Sequence, residues 1–246
     1  MYLHTACSSR TNDAEAASRP PDTAAVESAV RSADELFRQR SDTEKLKQAV
    51  QTLSRARTPD HRNFEVEWRY SKYSYFLGKA LSGDESDSAF EAGRDAGEVA
   101  SMAEPNKADG YFWYGANLGE LSRKSPFTVG LKSVDDIKRA MNKVIEIQPD
   151  YQNSSAFDAL AQVEIATRLS GGKPSVAIEL LEKALTSEKN NTNLRLTLAE
   201  AYLAEDRKDD ARQQLELLFK MKANPDYIPE YNECISKARK LMDTRF

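Results

Sequence analysis

Residues 198–218 read LAEAYLAEDRKDDARQQLELL, and this stretch decides the fold. Leu198, Ala199 and Tyr202 recur at helical spacing, a polar break follows, and Ala211, Leu215 and Leu218 recur again. Two antiparallel helices follow from this pattern. The small side chains of Ala199 and Ala211 let the helices approach closely, and Leu198, Tyr202, Leu215 and Leu218 fill the seam. One such pair cannot bury its apolar face alone, so the pattern predicts an array of similar pairs upstream.

The array is legible. A first pair is predicted from Val26, Val30, Ala33, Leu36 and Phe37, then from Leu46, Ala49, Leu53 and Ala56 after the turn Ser41-Asp42-Thr43. The second opens at Asn63. Its first helix carries Trp68, Tyr70, Tyr73, Tyr75, Phe76 and Leu77, apolar over most of its circumference, as for a helix buried on two sides. Gly78 and Ser82-Gly83-Asp84 are read as its break, and its partner as running from about Asp87 to Ala103. The third has Tyr111, Tyr114, Gly115 and Leu118, an insertion over 122–132, and a helix capped by Ser133 and stopped by Pro149. The fourth has Phe157, Leu160 and Ala161, then Pro174 at a helix start, where its missing N–H costs nothing, followed by Ala177, Leu181 and Ala184. The opening stretch is the fifth. A last helix from about Pro229 to Met242 covers the open end of the stack.

The spacing resembles the tetratricopeptide repeat (TPR). It predicts an all-α, right-handed TPR-like solenoid of about five helix pairs with a C-terminal capping helix over residues 25–246. Residues 1–24 are polar, Pro-containing and without apolar period, so a disordered tail is expected there.

Composition excludes several classes. The formal net charge of -4 argues against nucleic-acid or anionic-membrane binding. Cys7 and Cys234 lie in different segments, with no metal-ligand spacing, so neither a disulfide nor a metal is expected. The two histidines, His4 and His61, fall outside the repeats, which leaves no catalytic triad. No enzyme and no cofactor is predicted. Asp135-Asp136 and Asp209-Asp210 stand at helix starts, where negative charge complements the dipole. Cys234 reads as a small packing residue.

First helices of such repeats line a concave face. Counting from the anchors, that face receives Arg69, Tyr73 and Phe76, then Phe112 and Ala116, then Asp158, Gln162 and Ile165, then Leu196, Glu200 and Leu203. The expected binding residues are therefore Arg69, Tyr73, Phe76, Phe112, Gln162, Ile165 and Leu196. The mix reads as aromatic and aliphatic with few charges, suited to an extended peptide of a partner protein or to an apolar small ligand. The Lys and Asn pattern of carboxylate-clamping repeats is missing.

The order of features is more specific. Ala33 to Arg40, Glu67-Trp68-Arg69 with Tyr75 to Gly78, Gly110 to Tyr114 with Asn117-Leu118-Gly119, Gly171-Gly172 and Asn190-Asn191 resemble the TatT family, the TPR lipoprotein component associated with tripartite ATP-independent periplasmic (TRAP) transporters. The same features are similar to the regulator-of-microtubule-dynamics group. The TatT resemblance implies a periplasmic, lipid-anchored adaptor for a partner such as a solute-binding protein. Thr5-Ala6-Cys7 followed by Ser8-Ser9 resembles the end of a lipoprotein signal peptide, which implies lipidation at Cys7. Membrane attachment is expected only through that anchor. The alternative is a cytoplasmic TPR scaffold for complex assembly, unrelated to transport.

Overall fold

The computed structural model describes residues 23–58, 62–124 and 131–246. Among them the chain forms eleven α-helices and two short 3-10 turns. They are α1 (Thr23–Phe37), α2 (Thr43–Ala56), α3 (Phe64–Ala80), α4 (Gly83–Ala103), α5 (Ala108–Lys124), α6 (Leu131–Ile147), α7 (Tyr151–Ala166), α8 (Pro174–Ser187), α9 (Thr192–Ala204), α10 (Lys208–Phe219) and α11 (Ile228–Arg245). Each helix packs on the next. The odd-numbered helices from α1 to α9 also touch one another in sequence, forming an inner layer, with the even-numbered helices outside. This is the all-helical TPR-like solenoid of five pairs, with α11 packed against α9 and α10. Cys7, where lipidation is expected, His4 and His61 lie outside the described residues, as do residues 1–22 of the tail expected over 1–24 and residues 125–130 of the insertion expected over 122–132. Thr23 and Ala24 already belong to α1, and 122–124 to α5.

The local reasons follow the sequence. Asp42, Asn63 and Asn191 cap α2, α3 and α9, each side chain accepting from two backbone amides of the first turn. Pro174 opens α8. In the fifth pair Ala199, Ala211, Leu215 and Leu218 are fully buried, with Leu198 and Tyr202 nearly so. Burying each leucine contributes about 1.5–3 kcal/mol. Cys234 is buried between α11 and its neighbours, and burial pushes its thiol up to about 11, as for an inert packing residue.

Three boundaries differ from expectation. Gly78 does not break α3: the helix runs on to Ala80, and the glycine is there because the Phe90 ring presses on it, 2.7 Å from where a Cβ would stand. The partner helix starts at Gly83, whose φ of +60° makes the turn, four residues before Asp87. Ser133 is not a cap. The helix begins at Leu131, and Ser133 is buried in its first turn. The start of α7 departs from regular helix, since Gln152, Asn153 and Ser154 are left-handed, with φ of 48°, 56° and 61°. That conformation costs about 1–2 kcal/mol per residue. It is pinned by Asn191 Nδ2 donating to the Asn153 carbonyl at 2.8 Å and by Tyr151, which donates to Asp109 at 2.7 Å.

Pairs two and three hold the tightest helix contacts. Gly97 of α4 lies against the backbone of α5, so a Cβ there would meet Tyr114 N at 2.6 Å. Beside it, Ser71 Oγ donates to the Gly93 carbonyl at 2.6 Å, and Asn117 Nδ2 donates to the Trp113 carbonyl at 2.7 Å and the Ser71 carbonyl at 3.2 Å. Glu67 is completely buried yet well served. Arg57 Nε donates to both its oxygens at 3.1 and 3.0 Å, and Arg62 Nη1 to one at 3.0 Å.

Candidate functional site: the central cleft

The inner layer curves far enough for the last helix to meet the first pair. Arg40, in the turn after α1, donates to Glu230 Oε1 of α11 at 3.1 Å, and Lys79 of α3 donates to Glu233 Oε1 at 3.3 Å. Tyr227, just before α11, faces the Arg40 guanidinium at 5.8 Å. The helix therefore does more than cap the stack: it crosses the concave face and closes a cleft of about 1550 Å³ between the inner helices and itself.

One wall is aromatic. Tyr75, Phe76 and Trp113 lie with ring centroids 5.5–6.0 Å apart, and Phe112 meets Trp113 edge-on at 4.9 Å. A continuous polar chain runs on from these rings, from α11 across α3 and α5 to α7. Lys237 pairs with Glu233 at 2.7 Å, Glu233 with Lys79, and Lys79 stands 3.9 Å from Glu120. Glu120 accepts from Tyr75 at 3.3 Å and is paired with Arg123. Arg123 donates to Gln162 Oε1 at 3.0 Å, and Gln162 donates to Asp158 Oδ2 at 2.7 Å. There the chain stops: Asp158 Oδ1 has no hydrogen-bond partner among the described residues.

Burial tunes this polar chain. It pushes the Tyr75 phenol up, and the Glu120 charge adds to that. Burial also pushes the Asp158 carboxyl up, against hydrogen bonds from Thr197 and Gln162 and the more distant charges of Arg123 and Lys237. Glu200, open to the cleft yet surrounded by protein, is pushed up by desolvation and then by the Asp158 charge. Glu233 shifts the other way: desolvation would raise it, but the Lys237 hydrogen bond and the charges of Lys79 and Lys237 hold it low.

The structure brings Phe76, Phe112, Gln162 and Ile165 together on the cleft, as the register of the inner helices implies. It places the other three expected residues elsewhere. Arg69 reaches back to Asp34 at 3.0 Å and Glu65 at 2.6 Å. Tyr73 is buried, stacked 4.1 Å from Phe37 and bonded to Asp34. Leu196 belongs to the core under α9. The expectation of few charges is corrected, because the polar chain from Lys237 to Asp158 lines the cleft beside the rings. Glu120 and Arg123 continue the Phe112–Ala116 register and were within reach of the sequence pattern. Glu230, Glu233 and Lys237 carried no signal, since nothing local says that α11 crosses the face.

Residues 29–156, 128 of the chain's 246, match the family model described as Regulator of microtubule dynamics protein 1-3. The chain belongs to the Regulator of microtubule dynamics protein 1-3 family. The family match spans α1 to the start of α7 and so contains the aromatic wall and the Glu67 and Asn117 nodes. A tetratricopeptide-repeat model matches residues 168–228, covering the last pairs. No curated protein sequence matches the chain. Among solved structures, a thermophilic TPR protein of Thermus thermophilus, TTC0263, is similar at 17% identity over 87% of this chain and 99% of that one, with a TM-score of 0.63. MamA is similar at 14% identity over 81% and 95%, TM-score 0.54. Pseudomonas aeruginosa pilF is similar at 16% identity over 90% and 92%, TM-score 0.52. These likenesses are of fold.

Proposed function

We propose that the chain is a non-catalytic scaffold that binds an extended segment of a partner protein in the central cleft. The size and make-up of the cleft carry this reading. Its volume of about 1550 Å³ exceeds the roughly 300–1,000 Å³ of a small-molecule pocket. The partly exposed rings of Tyr75 and Phe76, backed by the buried Phe112 and Trp113, suit side chains, and the adjoining polar chain offers hydrogen-bonding groups for a peptide backbone. An apolar small ligand would leave the Glu233-to-Asp158 chain desolvated without new partners, which disfavours it.

Gly119 provides the test. It lines the cleft, and a Cβ there meets nothing within 4 Å. Gly119→Trp projects an indole into the cleft without disturbing the core. Random 12-residue peptides displayed on phage and selected on the intact chain should yield binders that Gly119→Trp rejects, with unchanged circular dichroism. Selection of binders indifferent to this substitution would overturn the cleft reading.

The setting implied by the TatT resemblance is a periplasmic adaptor tethered by a lipid at Cys7. Its support is the run Thr5-Ala6-Cys7-Ser8-Ser9 alone. The intact mass of the membrane fraction tests it: a diacylglyceryl mass on a chain beginning at Cys7 supports the tether, and an unmodified soluble chain supports a cytoplasmic scaffold.

A further inference from the structure

The cleft runs against the charge of the chain. The formal net charge is -4, yet the described cleft-lining residues carry eight basic and six acidic side chains. Arg40, Lys79, Lys237 and Arg123 are engaged by Glu230, Glu233 and Glu120. The other four, Lys189, Arg195, Lys220 and Lys222, make no ion pair among the described residues. They share one end of the cleft because α9 and α10 are antiparallel, which puts the start of one beside the end of the other. Arg195 fastens that corner through neutral acceptors: Nη1 donates to Gln214 Oε1 at 3.0 Å and Nη2 to the Lys189 carbonyl at 2.9 Å. Burial lowers the Arg195 guanidinium from its ordinary value, and no carboxylate opposes the shift. Tyr231 donates to the Met221 carbonyl at 2.9 Å, which holds residues 220–222 against α11 at the cleft. Glu188 is the one carboxylate among the cleft-lining residues of 188–195 and 217–224.

We propose that this basic corner takes an acidic stretch, two or three neighbouring Asp or Glu side chains, of the bound segment of the partner protein. The inference rests on the peptide-binding reading and adds the charge of the segment and the end of the cleft that receives it. Four cations spread over two stretches of chain match several carboxylates better than the single carboxylate of a chain terminus. A phosphate would seek free backbone amides at a helix start. At α9 the amides of Asn193 and Leu194 already bond the Asn191 side chain, at 3.0 and 3.3 Å. The three lysines are exposed, and their flexible stems let the ammonium groups follow carboxylates along an extended strand. Further along the cleft, Glu200 and Asp158 repel the same side chains, which fixes the register of the segment.

The phage selection tests the corner as well. Peptides rejected by Gly119→Trp should carry two or three Asp or Glu residues grouped at one fixed place. Replacing them by Asn or Gln in a synthetic peptide should weaken binding to the intact chain about fivefold or more at low salt, as several exposed ion pairs together supply. The same replacement should change binding to the triple variant Lys189→Gln, Lys220→Gln, Lys222→Gln by less than about twofold. All three lysines are exposed and make no ion pair, so the triple variant should keep the circular dichroism of the parent. Cleft binders with no acidic group, or a neutralisation effect that persists in the triple variant, would overturn the corner while leaving peptide binding intact. Failure to select any cleft binder would overturn both readings. Sedimentation of the chain with phosphatidylserine vesicles, lost in the triple variant, would then give the corner to a lipid surface.

Discussion

Arg40 and Glu230 are 190 positions apart and share two hydrogen bonds, from Nε at 3.2 Å and from Nη2 at 3.1 Å to the same carboxylate oxygen. This contact, with Lys79–Glu233, joins the first two pairs of the solenoid to its last helix. The side chains of Arg40 and Glu230 are only 15% and 28% exposed, so the pair is screened less than a surface bridge. The Arg40 guanidinium also sits over Phe37 at 5.2 Å and Phe76 at 5.5 Å.

Removing that link should free α11 from the face without unfolding the array. Arg40→Ala is expected to cost about 1–2 kcal/mol, between the limits for exposed and buried pairs. Hydrogen exchange should accelerate in residues 228–237, while the half of α11 anchored by Ala238 stays protected. Uniform acceleration along the whole chain would mean that the link holds the solenoid rather than the helix.

Glu67→Gln should be more damaging. The substitution leaves Arg57 and Arg62 facing a neutral amide in a site with no solvent at Glu67. A loss of about 1–3 kcal/mol is expected in urea unfolding, because the buried site loses its charge-assisted bonds while the arginines, 18% and 38% exposed, keep partial access to water.

Two glycines should respond with opposite signs. Gly97→Ala drives a methyl into the α5 backbone and should destabilise by about 1–3 kcal/mol. Gly119→Ala meets open space in a helix interior and should stabilise by about 0.5–1 kcal/mol. Melting temperatures of the two variants, measured side by side, check the contrast.

Asp158 predicts a pH dependence. Its carboxyl is raised from an ordinary 3.8 by burial. A raised carboxyl binds its proton more tightly in the folded state, so its contribution to stability is fully present below 3.8 and is lost as pH rises through the folded value. The charges facing it are Arg123 from α5, Lys237 from α11 and Glu200 from α9, with Gln162 and Thr197 as hydrogen-bonding neighbours. Asp158→Asn should therefore melt higher than the parent at pH 7, with the difference shrinking towards pH 4. A difference independent of pH would remove the ionised carboxylate as its cause.

Much of the fold was legible in short windows. Leu198, Tyr202, Ala211 and Leu215 encode a helix pair by spacing alone, and Asp42 and Asn63 mark helix starts that the structure keeps. Other features needed partners. Gly78 reads as a breaker until Phe90 of the next helix lies on it. Tyr73 reads as a concave-face residue, but Phe37 and Asp34 cover it because α1 packs on α3. Its placement makes Tyr73→Ala a core truncation, at about 3–5 kcal/mol, rather than a probe of binding.

Periodicity records which side of each helix is buried, so the helices, their pairing and the inner and outer layers were already written in the chain. That α11 crosses the concave face and that a polar chain runs along it came only with the three-dimensional arrangement. Curvature accumulates from small rotations between successive pairs, and no local window contains that sum. It brings Glu230 to Arg40 and Glu233 to Lys79.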